Sequence, residues 1–135
     1  IRTITKEDRK YAINRLKEIC EGIALAMRVK VEIEIVDGYP CLYNNDKMVS
    51  FGEEVFKKVL GKDNVIMDIC PSMGVESFAY FSEAVPSLFY FLGTRNILKG
   101  IVHPAHGSLF DLDEEGLIFG AALQSAIAFN YLNSN

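Results

Sequence analysis

Long apolar runs, paired cysteines and a surplus of positive charge are all missing from this chain. The longest apolar stretch, 118–129, is broken by Gly120, Gln124 and Ser125. It falls short of the ~20 residues a bilayer-crossing helix needs. The N-terminus carries Arg2, Lys6, Glu7, Asp8, Arg9 and Lys10, which leaves no apolar core for a signal peptide. Cys20, Cys41 and Cys70 are odd in number and contain no C-x-x-C pair, so they do not read as a disulfide framework. The expectation is three reduced, packed thiols. A net charge of −4 with scattered lysines gives no electrostatic footprint for nucleic acid. These absences point to a soluble cytoplasmic protein with neither a membrane nor a nucleic-acid partner.

What is present suits an ordinary globular chain. Half of the 135 residues are hydrophobic, enough for one modest domain or two unequal pieces. Thr5, with Asp8 three residues on, marks a helix start. From Lys6 to Met27, Ala12, Ile13, Leu16, Ile19, Cys20, Ile23 and Met27 recur at spacings of three and four, which predicts a long helix with one buried face. Val29, Val31, Ile33 and Ile35 then alternate with Lys30, Glu32 and Glu34, the period of a strand with one wet face. Ile1-Arg2-Thr3-Ile4 reads as the end of another strand. Strand, helix and strand do not complete a sheet, so a partner is expected for them.

After Pro40 the register changes. Asn45 or Asp46 can cap a helix running to about Leu60, with Gly61 placed to stop it. Val65 to Ile69 is a strand candidate, followed by a small-residue loop, Cys70-Pro71-Ser72-Met73-Gly74. A short helix is expected over 76–82, and Leu88 to Leu92 has the length and character of a buried strand. The last helix is expected to begin at Asp113, whose side chain can cap it. Its glycines, Gly116 and Gly120, give it a slim face suited to lying against a sheet.

Taken together and in order, Ser72-Met73-Gly74-Val75-Glu76-Ser77-Phe78-Ala79-Tyr80-Phe81, Pro86, Phe89-Tyr90-Phe91-Leu92-Gly93-Thr94, His106 and Phe110-Asp111-Leu112-Asp113-Glu114 resemble the C-terminal third of the M20 family of metallopeptidases. The match is best to its amidohydrolase branch, which includes hippurate hydrolase and N-acyl-amino-acid hydrolases. Ile1-Arg2-Thr3 resembles a strand of that family's lid, or dimerisation, domain. Tyr39-Pro40 through Asn44 resembles the return into the catalytic domain. The fold class this implies is α/β: residues 1–38 as the second, strand-helix-strand half of the lid, and 39–135 as the C-terminal part of an M20-type zinc-hydrolase catalytic domain.

The resemblance also implies chemistry. Family members with this plan hydrolyse an amide bond with one or two divalent metals, usually zinc, which lower the pKa of a bound water toward ~7. Most of the metal ligands and the general base precede the lid in the family and are absent here. His106, four residues before Phe110, has the spacing of the final histidine ligand. His103 is three residues away and competes for the role, with spacing favouring His106. Read without the family, two histidines in a Gly/Pro loop are ordinary surface residues. Arg2 matches the lid arginine that approaches a substrate carboxylate, for which a planar guanidinium is suited; its plain reading is a solvated terminal residue. Gly74 would let backbone N–H groups approach a ligand. Glu76 is either a polar group near the metal or a helix-start residue favoured by the dipole. Val75 and Ser77 replace the family's usual Ser and Asp. Asn44 is a candidate bond across the hinge or a turn residue, and Thr94 and Arg95 are candidates for a pocket wall.

The reading is part of a metal-dependent amidohydrolase acting on N-acyl amino acids or similar small amides. A homodimer through the lid is expected, as is a requirement for the N-terminal portion of the same enzyme. This chain alone is expected to be inactive. The alternative is a non-catalytic association module derived from that family. If the chain is a piece of a larger fold, apolar surface is expected on Ile13, Leu16 and Ile23 and on the small-residue face of the last helix.

Overall fold

The computed structural model describes residues 1–67 and 70–134. They form four α-helices, α1 (Lys6–Met27), α2 (Asp46–Leu60), α3 (Ala79–Ala84) and α4 (Glu115–Leu132), with a single 3-10 turn at Lys62–Asn64. They sort into two compact units: 1–44 with 70–87, and 45–67 with 88–134.

The α/β expectation does not hold. No strand is present among the described residues, and the backbone pairing outside helices includes one isolated antiparallel bridge, Asn96 with Ile101. Neither 1–4, 29–35 nor 88–92 enters a ladder; the candidate at Val65 to Ile69 has no strand over 65–67, and Asp68 and Ile69 lie outside the described residues. The physical reason is that alternation specifies which side chains share a face, whereas a strand exists only when a second backbone supplies its hydrogen bonds. Val29, Val31 and Val36 are accordingly exposed.

Local signals fared better where the helix supplies its own partners. Thr5 caps α1, its hydroxyl oxygen accepting from the Asp8 N–H at 3.1 Å. The helix ends at Arg28, held in the left-handed region with φ 53°. Asn45 caps α2, its side chain accepting from the N–H groups of Lys47 and Met48 at 3.1 and 3.3 Å. Gly61, at φ 83°, stops it. The short helix α3 starts three residues later than the expected 76–82 segment, at Ala79.

In the unit built from 1–44 and 70–87, polar ties outnumber buried apolar side chains. Arg9 donates to the Tyr39 carbonyl at 3.2 Å and to Asp37 Oδ1 at 3.3 Å. Lys6 pairs with Glu83 at 2.5 Å, which raises the Lys6 pKa above its ordinary value. The Cys41 thiol donates to the Thr3 carbonyl at 3.1 Å, and Tyr39 meets Tyr80 edge-on at 5.9 Å. Of α1 only Ala24 is buried; Leu16, Ile19, Ile23 and Met27 are exposed, so the expected buried face is not covered.

The second unit has a denser core. Val55, Phe56 and Leu123 are buried, Leu123 to 2% exposure. Phe56 packs on Tyr90 at 4.6 Å between ring centroids, and burial pushes the Tyr90 hydroxyl pKa up. Phe51 of α2 meets Tyr131 of α4 at 5.9 Å. Residues 88–94 thread this core with alternate side chains. A Cβ on Gly52 would lie 2.3 Å from Leu88, on Gly120 3.2 Å from Leu92, and on Gly116 3.1 Å from Thr94. Leu88, Tyr90, Leu92 and Thr94 thus all face the helices. The slim face of α4 is used as expected, but against this single segment.

Candidate functional site

The candidate residues divide between the two units. Arg2, Asn44, Gly74 and Glu76 belong to the first, and Thr94, Arg95, His103 and His106 to the second. Within the first unit, Arg2 is brought onto the small-residue loop: its guanidinium Nη1 donates to the Met73 carbonyl at 2.8 Å, next to Gly74. The Gly74 N–H is turned toward the Ser72 hydroxyl at 3.3 Å, and a Cβ there would stand 3.2 Å from that oxygen. One guanidinium edge is therefore committed to a backbone carbonyl. The neighbouring N–H is held within the loop.

Glu76 turns toward the chain that follows it. Its Oε1 accepts from the Ser77 hydroxyl and the Phe78 N–H, both at 3.3 Å, and its carbonyl accepts from the Ala79 N–H at 3.2 Å. This is the geometry of a carboxylate at the entrance to α3, where the helix leaves N–H groups without intrahelical partners. Asn44 is half-buried and has interactions of its own.

In the second unit His106 lies on an exposed turn with φ 67°. The Gly107 N–H closes this turn on the Pro104 carbonyl at 3.2 Å, and the Phe110 N–H continues it onto the Gly107 carbonyl at 3.0 Å. Left-handed backbone at a residue other than glycine is uncommon, and such residues concentrate at functional positions. His103 is exposed three residues before it. Among the described residues no three His, Cys, Asp or Glu side chains gather where they could hold one ion. A zinc site takes three or four protein donors, so the described residues do not fit a complete metal centre.

Sequence reasoning missed a polar cluster around Asp113. Asp113, expected to cap α4, does accept from the Glu115 N–H through Oδ1 at 3.4 Å, but its shorter bonds lie elsewhere: Oδ2 accepts from Asn96 Nδ2 at 2.6 Å and Oδ1 from Lys99 Nζ at 2.7 Å. Helix α4 begins at Glu115 behind Glu114, which makes no side-chain cap. Lys99 also pairs with Glu115 at 2.7 Å. The one available signal was Asn96-Ile97-Leu98-Lys99-Gly100, a turn sequence whose asparagine oxygen accepts from the Leu98 and Lys99 N–H groups. Of the three cysteines, Cys20 and Cys41 are half-buried and Cys70 is exposed, so the expectation of packed thiols fails at Cys70. No helix of the described residues is long and apolar enough to cross a membrane.

Comparison with known proteins gives one concordant result. The family model for peptidase family M20/M25/M40 matches residues 3–130. The chain is 42% identical over 96 residues to the IAA-amino acid hydrolase ILR1-like 6 of Arabidopsis thaliana, covering 70% of this chain and 20% of that protein. It is 31% identical over 134 residues to thermostable carboxypeptidase 2 of Saccharolobus solfataricus, 98% of this chain and 33% of that one. With the hippurate hydrolase of Campylobacter jejuni it shares 29% over 132 residues, again 98% and 33%. The chain thus spans a third or less of the length of these relatives. No solved structure matches it.

Proposed function

The chain belongs to peptidase family M20/M25/M40, and from that premise we propose that it is part of a metal-dependent amidohydrolase cleaving the amide bond of N-acyl amino acids or similar small amides. The observation that carries the proposal is the breadth of the match: residues 3–130 fit the family model. Relatives named as hydrolases or carboxypeptidases align over most of the chain.

In this reading residues 1–38 belong to the lid and 39–135 to the catalytic part of a cytoplasmic enzyme that pairs through its lid. His106 supplies one imidazole to a divalent ion, zinc in the first instance, with His103 as the competing donor. The remaining donors and the general base come from outside this chain, so these residues alone do not hydrolyse the substrate. Their contribution is to bind and orient. Arg2 is the partner for a substrate carboxylate, through whatever part of its planar fork the Met73 carbonyl leaves open. Gly74 and Glu76 shape the loop beside it, and Asn44 ties the junction between the two parts.

The test is the intact mass and metal content of the natural polypeptide, followed by assay on hippurate. The expected result is a longer chain carrying zinc that hydrolyses hippurate, with His106→Ala lowering both bound metal and turnover at least ~100-fold, in the range that losing a metal-site residue produces. A natural 135-residue chain free of metal and inactive would overturn the catalytic reading. It would leave the association module, which the exposed Leu16, Ile19 and Ile23 of α1 favour as the second choice.

A further inference from the structure

We infer that Asp113 is the positioning residue of the loop 97–112, its carboxylate acting through Asn96 and Lys99 to fix the segment that carries His103 and His106. The bearing of this clasp on catalysis rests on the role given to His106 above; the clasp itself does not.

The argument begins with what the loop lacks. Ile97, Leu98, Val102, Leu109 and Phe110 are all exposed, Leu98 almost completely, so apolar burial does little to hold the segment. A long connection without regular structure pays the full entropy of closure unless its ends are fastened, and such loops are uncommon in compact domains. Here the fastening is polar and sits at the two ends. Asn96 and Asp113, seventeen residues apart in sequence, are joined side chain to side chain at 2.6 Å. The same Asn96 accepts from the Leu98 and Lys99 N–H groups at 3.1 and 3.2 Å and exchanges backbone bonds with Ile101 at 3.0 and 2.9 Å. The Asp113 N–H adds a bond to the Thr94 carbonyl at 3.0 Å.

The Asp113 side chain is 14% exposed, against 46% for Lys99, so the acid is the less exposed of the pair. A charge-assisted bond to a partly buried carboxylate is worth more than a neutral one on the surface. One carboxylate therefore joins the first turn of the loop to its last residue and leaves only the interior, with its turn at His106, to fold between fixed ends.

Amide hydrogen exchange on the intact chain tests this, with Asp113→Ala, Asp113→Asn and Asn96→Ala. In Asp113→Ala and Asn96→Ala the amides of Ile101, Gly107 and Phe110 are expected to exchange about tenfold faster or more, as the loss of a charged or buried hydrogen bond predicts. The strong intraresidue contact between the His106 amide and Hα protons that a positive φ produces is expected to fade with them. Asp113→Asn keeps an oxygen for Asn96 but removes the negative charge that faces Lys99, and is expected to fall between. The Gly116 and Leu117 amides, in the first turn of α4 and bonded to the Asp113 and Glu114 carbonyls, are expected to hold.

The opposite pattern, lost protection at Gly116 and Leu117 with an unchanged loop, would make Asp113 a helix cap and overturn the inference. If Asp113→Ala does not fold, Asp113→Asn decides the question, because Asn96 holds the Leu98 and Lys99 amides by itself. A loosened loop in an enzyme whose activity ignores His106 would keep the clasp and remove the proposed function.

Discussion

A carboxylate and an ammonium that share hydrogen bonds shift each other's protonation in opposite directions, and the pair Asp113 and Lys99 shows both halves. Lys99 and then Asn96 hold the Asp113 carboxyl below its ordinary 3.8. Asp113 and then Glu115 push Lys99 up from 10.5 to about 12. The depressed acid contributes stability that is present above its ordinary value and lost as pH falls through the depressed one. The raised base contributes stability that is present below 10.5 and lost as pH rises through about 12. Loop 97–112 should therefore keep its protection down to the ordinary carboxylate range and loosen below it, measurable as exchange at Ile101 and Phe110 against pH. Its aliphatic carbon shifts should stay constant until strongly alkaline pH. Two core substitutions belong to the same scale. Leu123→Ala, at a side chain 2% exposed, is expected to cost ~2–5 kcal/mol in denaturant unfolding. Gly52→Val places a Cβ 2.3 Å from Leu88 and adds branches beyond it, so it is expected to destabilise by ~1–3 kcal/mol. At this scale the sequence revealed residues whose partners lie within a turn of the chain, such as Thr5 and Asn45 at their helix starts. It hid those whose meaning is a partner far away: nothing near Asp113 indicates that its carboxylate reaches back to Asn96.

Helices were legible as elements because their hydrogen bonds close within a few residues, so caps and period settle them locally. The expected first helix runs over Lys6–Met27 and the expected stop of the second falls at Gly61. Which face each would bury was less legible, since α1 offers Leu16, Ile19 and Ile23 to solvent. The strand expectations failed for the complementary reason, that a strand's partner is not written in its own residues. Two changes test the helix ends. Asn45→Ala removes the acceptor for the Lys47 and Met48 N–H groups and is expected to cost about 1 kcal/mol, read as a lower denaturation midpoint at unchanged slope. Arg28→Gly relieves a left-handed residue at φ 53° and is expected to stabilise by about 0.5–1 kcal/mol, because the relieved strain outweighs the added entropy of glycine in the unfolded chain.

Across the whole molecule, the surface outweighs the core. The described chain exposes 11052 Å², whereas two separately compact units of half its mass would expose roughly 8500 Å². Large apolar side chains stand in that surface, among them Leu16, Ile19 and Ile23 of α1 and Leu117, Ile118 and Phe129 of α4. Apolar surface of this extent marks an interaction face or an aggregation hazard. The 135-residue chain in isolation is therefore expected to bind an apolar dye and to sediment as concentration-dependent oligomers; a dye-silent monomer across a wide concentration range would contradict that. The segment 88–94 places one further constraint on how such a chain can change. Because Leu88, Leu92 and Thr94 meet Gly52, Gly120 and Gly116 at alternate positions, with Tyr90 on Phe56 between them, the fit depends on parity. Deleting two residues there shortens the thread but keeps the same kind of side chain against each helix. Deleting one turns Phe91, now 72% exposed, toward a glycine that has no room for it, so viable length variants of this segment should differ by even numbers.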